Sequence, residues 1–282
     1  MPETQGISAL RTRWTAPTGM LGILVEEARA RAKAGLTRRG EWVRRAEEAP
    51  RPPSLRAVLR KGDVAIIAEV KRRSPSKGAI NTDIDARQRA RSYVEAGASA
   101  VSVLTEPDWF GGSMEDLSDV AAGVEMPVLR KDFIVAPVQL FEARACGAAG
   151  ALLIARALRP KLLCELHDLG RDIGLELLVE VRDEFELDCA LEAGATIIGV
   201  NNRNLETLVI DPATVERMIP LIPRRAVAVA ESGMSDRADI ERAAACGADA
   251  ILIGSAVSSS PDPHASVRAL LNVRVERDAR PD

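Results

Sequence analysis

The sequence predicts an α/β protein whose strands close into a (β/α)8 barrel of the TIM type, preceded by an N-terminal helical extension. Three observations lead there. Glu95-Ala-Gly-Ala-Ser-Ala-Val-Ser-Val-Leu104, Ala145-Cys-Gly-Ala-Ala-Gly-Ala-Leu-Leu-Ile154, Glu192-Ala-Gly-Ala-Thr-Ile-Ile-Gly-Val200 and Ala245-Cys-Gly-Ala-Asp-Ala-Ile-Leu-Ile253 repeat one pattern, x-x-Gly-Ala and then an apolar run. A second set of strand-like runs alternates with them: Val64–Val70, Val128–Lys131, Leu175–Val181 and Ala226–Glu231. Finally, 282 residues fit the ~250 of one barrel plus a modest extension. An open doubly wound sheet is the rival architecture, but eight strands in such even spacing favour closure.

Taken in order, Leu21–Ala49 reads as an amphipathic helix stopped by Pro50-Arg-Pro-Pro53. Residues 1–53 are expected to pack on the barrel as an extension that caps its site without supporting its core. Residues 54–273 are the expected barrel. In each repeat a helix ends at Gly97, Gly147, Gly194 or Gly247, residues free to take the left-handed C′ conformation. The strand that follows is apolar on both faces, as in a parallel sheet covered by helices. Ser113 with Asp116, and Asp183 with Glu186, resemble capping boxes. Asp211-Pro212 supplies an N-cap and a proline at N1, and Ser235 precedes an acidic first turn. Residues 274–282 are polar and expected to fray as a disordered tail.

Composition narrows the function classes. A chain that is 46% hydrophobic and 28% charged is neither disordered nor membrane-embedded. With a net charge of −3, no nucleic-acid partner is expected. Arg38-Arg39 and Arg44-Arg45 alternate with Glu41, Glu47 and Glu48, which reads as a solvated helix face. No apolar run approaches the ~20 residues of a membrane span, and Met1–Met20 lacks the apolar core of a signal peptide. The expected location is cytoplasmic. Cys146, Cys164, Cys189 and Cys246 form no C-x-x-C pair, which suits a reducing compartment. The only histidines, His167 and His264, fall in helical segments away from strand ends and form no ligand cluster. No metal is expected, and any acid–base chemistry must use other side chains.

In a barrel the C-terminal ends of the strands converge on one face. Those ends carry Glu69 and Lys71 (first strand), Lys131 (third), Glu180 (fifth), Asn201 (sixth), and Glu231 with Ser232 (seventh). Strand periodicity sets Glu69 and Lys71 on one face among apolar neighbours. A carboxylate there is costly unless paired or functional. Close Lys–Glu pairs keep both groups charged, and partial burial is expected to push both pKa values toward neutrality. Ser232-Gly233 and Gly254-Ser255 close the seventh and eighth strands, where barrels commonly bind phosphate. Ser74-Pro-Ser-Lys-Gly78 follows the first strand and is expected to close over the same anion or the substrate. Phe110 and Phe133 follow the second and third strands and suit the walls of a pocket for a flat ring.

Glu69-Val-Lys-Arg-Arg-Ser-Pro-Ser-Lys-Gly78, Leu129-Arg-Lys-Asp-Phe-Ile134, Val200-Asn-Asn-Arg-Asn-Leu205 and Ala230-Glu-Ser-Gly233 resemble, in order, the motifs of the indole-3-glycerol phosphate synthases. The resemblance runs from about Leu21 to about Leu271. It implies a carboxy-lyase of tryptophan biosynthesis, with a phosphorylated small-molecule substrate and no cofactor. The reaction takes 1-(2-carboxyphenylamino)-1-deoxyribulose 5-phosphate to indole-3-glycerol phosphate, carbon dioxide and water. By the same resemblance Lys131 is the general acid at the sugar ketone, and Lys71 holds substrate anions and shares in dehydration. Glu180 stabilises the iminium charge or serves in dehydration, and Glu69 is a base in dehydration. Asn201, Glu231 and Ser232 are further site positions, while Arg72 and Arg203 help hold the substrate carboxylate or its network. Ile134-Val-Ala-Pro-Val-Gln139 and Gly254-Ser-Ala-Val257 depart from the family pattern. A Schiff-base aldolase using Lys131 and a non-catalytic phosphate-binding barrel are the alternatives. A monomer is expected, with a weak homo-oligomer as the alternative.

Overall fold

Eight runs of apolar residues become eight parallel strands because each is covered on both sides. They are β1 Ala65–Val70, β2 Ala100–Leu104, β3 Val128–Lys131, β4 Gly150–Ile154, β5 Glu176–Val181, β6 Ile197–Asn201, β7 Val227–Glu231 and β8 Ala250–Ile253. They pair in the order β1-β8-β7-β6-β5-β4-β3-β2, and β2 returns to β1, so the barrel is closed. The computed structural model describes Leu10 and residues 13–282; residues 1–9, 11 and 12 of the expected extension lie outside the described residues.

The helices on the outside start and stop where the local chemistry directs. Ser113 Oγ accepts the Asp116 N–H at 3.0 Å, and Asp183 Oδ1 accepts that of Glu186 at 2.9 Å. The helix after β6 begins at Ala213, one residue later than an Asp211 cap requires, although Asp211 Oδ1 still accepts the Ala213 N–H at 3.2 Å. Before the helix Arg237–Ala245 the cap is Asp236, with Ser235 donating to Asp239. Gly97, Gly147, Gly194 and Gly247 all take left-handed φ, which turns each helix sharply back into the next strand.

The extension differs from the single helix expected. It forms α1 Gly19–Gly35, a 3-10 turn at Leu36–Arg38, and α2 Arg39–Glu48. At the break, a side chain on Gly35 would sit 2.9 Å from Glu142 Oε1 of the barrel helix Pro137–Ala145, so glycine permits the close approach. Leu21, Leu24, Val25, Ala28 and Ala32 of α1, and Trp42 of α2, join the same buried cluster as the barrel strands. The extension therefore shares the core of the barrel, contrary to the expectation that it would not support it.

The C-terminal segment is also not a frayed tail. Arg274 bridges to Asp63, and residues 277–279 form a 3-10 turn. Arg280 is 3% exposed. Its guanidinium donates to Asp249 Oδ2 at 2.7 Å and to the carbonyls of Ala226 and Gly247 at 2.6 and 3.2 Å. Composition does not show this, because two arginines, Arg277 and Arg280, converge on one buried carboxylate, Asp249, and hold an otherwise polar segment. Arg280→Met would leave Asp249 with the partly exposed Arg277 alone and take the donor from the Ala226 and Gly247 carbonyls, so it should destabilise the protein by about 2 kcal/mol or more. Chemical denaturation would check this; a loss under about 1 kcal/mol, the usual scale of a surface pair, would return the segment to the frayed class.

Candidate active site

Strand register brings the charged groups together. Glu69 on β1 lies opposite Ser102 on β2, Glu180 on β5 opposite Gly199 on β6, and Asn201 on β6 opposite Glu231 on β7. All reach the same cavity, of about 420 Å³, at the C-terminal end of the barrel. Lys71 Nζ lies 2.7 Å from Glu69 Oε1. Lys131 Nζ stands between Glu231 Oε2 at 3.6 Å and Glu180 Oε2 at 3.8 Å. Asn201 Nδ2 donates to Glu180 Oε1 at 2.9 Å, and its Oδ1 accepts the Arg203 N–H at 2.9 Å. The amide thus fixes the Glu180 carboxylate and the start of the loop after β6.

The electrostatics split these groups apart. Burial works to lower the Lys131 pKa, but the carboxylates of Glu231, Glu180 and Glu69 outweigh it and hold the ammonium above its ordinary value. Burial works to raise the Glu69 pKa, yet the positive charges of Lys71 and Lys131 bring it below the usual carboxylate range. Glu231 goes the other way. Burial and the Glu180 charge push it up to about 8, against the pull of Lys131. The drift toward neutrality expected from the sequence is therefore corrected for Lys131 and Glu69, which move away from it, while Glu231 moves toward it because burial and the neighbouring Glu180 outweigh Lys131.

Two glycines make this cluster possible. A Cβ on Gly199 would lie 2.0 Å from Glu231 Oε1, and one on Gly254 would lie 2.3 Å from Glu69 Oε1 and 2.9 Å from Lys71 Nζ. A side chain at either place would displace the carboxylate it meets. Ser232 and Gly233 both take left-handed φ, of 63° and 76°, which bends the chain sharply at the end of β7. Ser74, Ser232, Gly233, Gly254 and Ser255 all line the cavity, as do Phe110, Phe133 and Arg203. The two phenylalanine rings lie 6.1 Å apart, tilted by 41°.

One expected residue is elsewhere. Arg72 does not line the cavity. Its guanidinium pairs with Asp116 and donates to the carbonyls of Gly111 and Ile84 at 3.2 and 2.8 Å, tying the loops after β1 and β2 together. Both residues lie just past the end of β1, and these bonds hold Arg72 outside the cavity that Lys71 lines. Other contributors escaped the sequence reading. Ser258 Oγ accepts the Lys71 N–H at 3.2 Å and donates to the Glu69 carbonyl at 2.8 Å, so it pins the end of β1. Gln139, in one of the stretches that depart from the family pattern, accepts the N–H groups of Val135 and Ala136 and donates to the Phe133 carbonyl at 2.9 Å. It holds the loop after β3 from its own helix.

This cavity places the molecule among the (β/α)8-barrel enzymes. A family model described as indole-3-glycerol phosphate synthase matches residues 23–270. The chain is 48% identical over 227 residues to the indole-3-glycerol phosphate synthase of Parafrankia sp. (strain EAN1pec), covering 80% of this chain and 85% of that one. It is 44% identical over 254 residues to the protein of that name in Mycolicibacterium vanbaalenii, covering 89% and 93%. Among solved structures, thiamine phosphate pyrophosphorylase from Pyrococcus furiosus is similar in fold, with a TM-score of 0.58 at 16% identity over 77% of this chain and 96% of that one. The chain belongs to the indole-3-glycerol phosphate synthase family, and so to the carbon–carbon lyases of tryptophan biosynthesis.

The raised pKa of Glu231 has a thermodynamic consequence. Its folded value of about 8 lies above the ordinary 4.5. The stability this gives is fully present below the unfolded value and is lost as pH rises through the folded one. Glu231→Gln removes that titration. The variant should gain Tm relative to the parent as pH goes from 5 to 9, in thermal melts at matched ionic strength. A Tm difference constant across that range would mean that Glu231 ionises normally.

Proposed function

We propose that the ionisable groups of this cavity divide the family reaction among them. The phosphate of the carboxyphenylamino sugar sits at Ser232-Gly233 and Gly254-Ser255, with Ser74 closing over it. Its aryl ring lies between Phe110 and Phe133. Lys71 and Arg203 face the substrate's anionic end. The ring carbon bearing the carboxylate attacks the sugar ketone, and the alkoxide takes a proton from Lys131. The carbon–carboxylate bond then breaks, carbon dioxide leaves, and its electron pair discharges the iminium nitrogen while Glu180 offsets that charge. In dehydration the hydroxyl leaves with a proton from Lys71, and Glu69 removes one from the neighbouring carbon. Two protons are given and one is taken, so each turnover consumes one proton.

The observation that supports this most is the position of Lys131. Its ammonium is held charged by carboxylates on both sides, which suits a donor to a developing alkoxide. The same charge speaks against the Schiff-base alternative, which needs a free amine. Glu231, close by and pushed up to about 8, is suited to return a proton to Lys131 after each turnover. The reading includes a monomeric enzyme acting in the cytoplasm; among the described residues no helix is long and apolar enough to cross a membrane.

Lys131 gains its advantage only as the oxygen becomes charged, so it should serve rate more than ground-state binding. Lys131→Met should lower the single-turnover rate of ring closure at least about a thousandfold. Affinity for a reduced, unreactive substrate analogue should change less than about tenfold. A variant keeping more than about a tenth of the rate would end the assignment. Ser255→Asp tests the phosphate site separately. Aspartate is tolerated at a helix start, so the fold should persist, while a carboxylate beside the anion should weaken substrate binding at least about tenfold. Unchanged affinity by calorimetry would move the phosphate elsewhere.

A further inference from the structure

The two aromatic walls hang on loops, and in each a buried carboxylate accepts the backbone N–H of the wall residue. Glu106, 0% exposed, accepts the N–H of Phe110 at 3.0 Å, that of Trp109 at 2.7 Å and that of Asp108 at 3.2 Å. Asp132 accepts the N–H of Phe133 at 2.8 Å. One side chain from outside the barrel reaches both: Arg31 of α1 lies 3.2 Å from Glu106 Oε1 and 3.5 Å from Asp132 Oδ1. Asp132 has a second cation in Arg130 at 2.9 Å, whereas Glu106 has no other cation within 4 Å among the described residues.

The contact belongs to one face of α1. Leu24, Glu27 and Arg31 share it at helical spacing. Leu24 lines the cavity, and Glu27 accepts the Trp109 indole N–H at 2.8 Å. The oxygens of Glu27, Glu106 and Asp108 lie within 4.8 Å of one another. Those of Glu27 and Glu106 are already engaged by the indole, backbone N–H groups and Arg31, so the cluster is an anchorage for the loop.

We propose that Arg31 is a positioning residue for the aryl end of the substrate. Its guanidinium bridges Glu106 and Asp132, and through their hydrogen bonds to Phe110 and Phe133 it sets the separation of the two rings. A residue of the N-terminal extension thereby fixes the width of a slot whose walls come from two barrel loops. This rests on the reading of Phe110 and Phe133 as the walls for the substrate ring. It sets Arg31 apart from the reacting groups: the bridge should govern aryl binding, leaving the phosphate end and the proton-transfer steps alone.

The test compares the intact protein with Arg31→Met, Arg31→Gln and Arg31→Lys, using steady-state kinetics and two competitive probes, 2-aminobenzoate and inorganic phosphate. Met keeps the stem and removes the bridge; Gln covers the case in which Met alters packing. In both, KM for the carboxyphenylamino sugar phosphate and Ki for 2-aminobenzoate should rise together, by about tenfold. Ki for phosphate should stay within about twofold and kcat within about threefold. Arg31→Lys keeps the charge and should recover a substantial part of the loss. Unchanged 2-aminobenzoate inhibition in the Met and Gln variants would overturn the proposal, as would a parallel rise for phosphate or a fall in kcat alone. If 2-aminobenzoate does not inhibit the intact protein, the aromatic-wall reading itself fails, and the proposal with it.

Discussion

Lys131 and the carboxylates around it constrain everything near the mouth of the barrel. A single buried carboxylate or ammonium is strongly unfavourable, and removing one partner of a buried pair leaves the other uncompensated. Here Glu180 and Glu231 share one ammonium, while Glu69 pairs with Lys71 and also feels Lys131. The packing accommodates the cluster. Gly199 and Gly254 leave the space that the carboxylates of Glu231 and Glu69 fill. Asn201 and Ser258 then fix the directions of Glu180 and of the β1 backbone. Elements that look like ordinary barrel strands are therefore shaped locally by the requirement to hold these charges close together.

The count of charges explains why the carboxylates differ. Three carboxylates, Glu69, Glu180 and Glu231, face two ammonium groups, Lys71 and Lys131, so with all ionised the cluster carries an excess negative charge in a largely buried space. Glu231, which lies beside another carboxylate and shares its cation, is the one whose pKa is pushed up, to about 8. Glu69 has a lysine to itself at 2.7 Å and stays below the ordinary range. Environments that push apart the pKa values of chemically identical groups sort them into proton donors and acceptors.

Much of this was legible in the sequence, because its signals are local. The Gly-Ala repeat fixes helix ends, apolar runs fix strands, and a barrel sends strand-end residues to one rim; Glu69, Lys71, Lys131, Glu180, Asn201 and Glu231 follow directly. What was missed depends on contacts between distant parts of the chain. Arg72 is an arginine in a site motif, yet Asp116 and the carbonyls of Gly111 and Ile84 hold it outside the cavity. The close approach at Gly35 is to Glu142, more than a hundred residues away. The burial of Arg280 answers to Asp249. Nothing in the local composition of these stretches announces their partners. The pKa expectation failed for a related reason: pairing was inferred two residues at a time, while the result depends on the whole set.

The extension illustrates how stability and function come to share residues. A helix that contributes Leu21, Val25 and Ala28 to the buried cluster cannot shift without disturbing packing, because interiors are dense and resist gradual deformation. That rigidity is useful on its other face. Loops after barrel strands are the mobile part of such folds, and those after β2 and β3 carry Phe110 and Phe133. Their backbone N–H groups end on carboxylates, and those carboxylates meet an arginine borne by the buried helix. Each link is a hydrogen bond or ion pair of ordinary strength. In series they transfer the fixed position of a core helix to two rings on the rim, which a loop of the same length could not do alone.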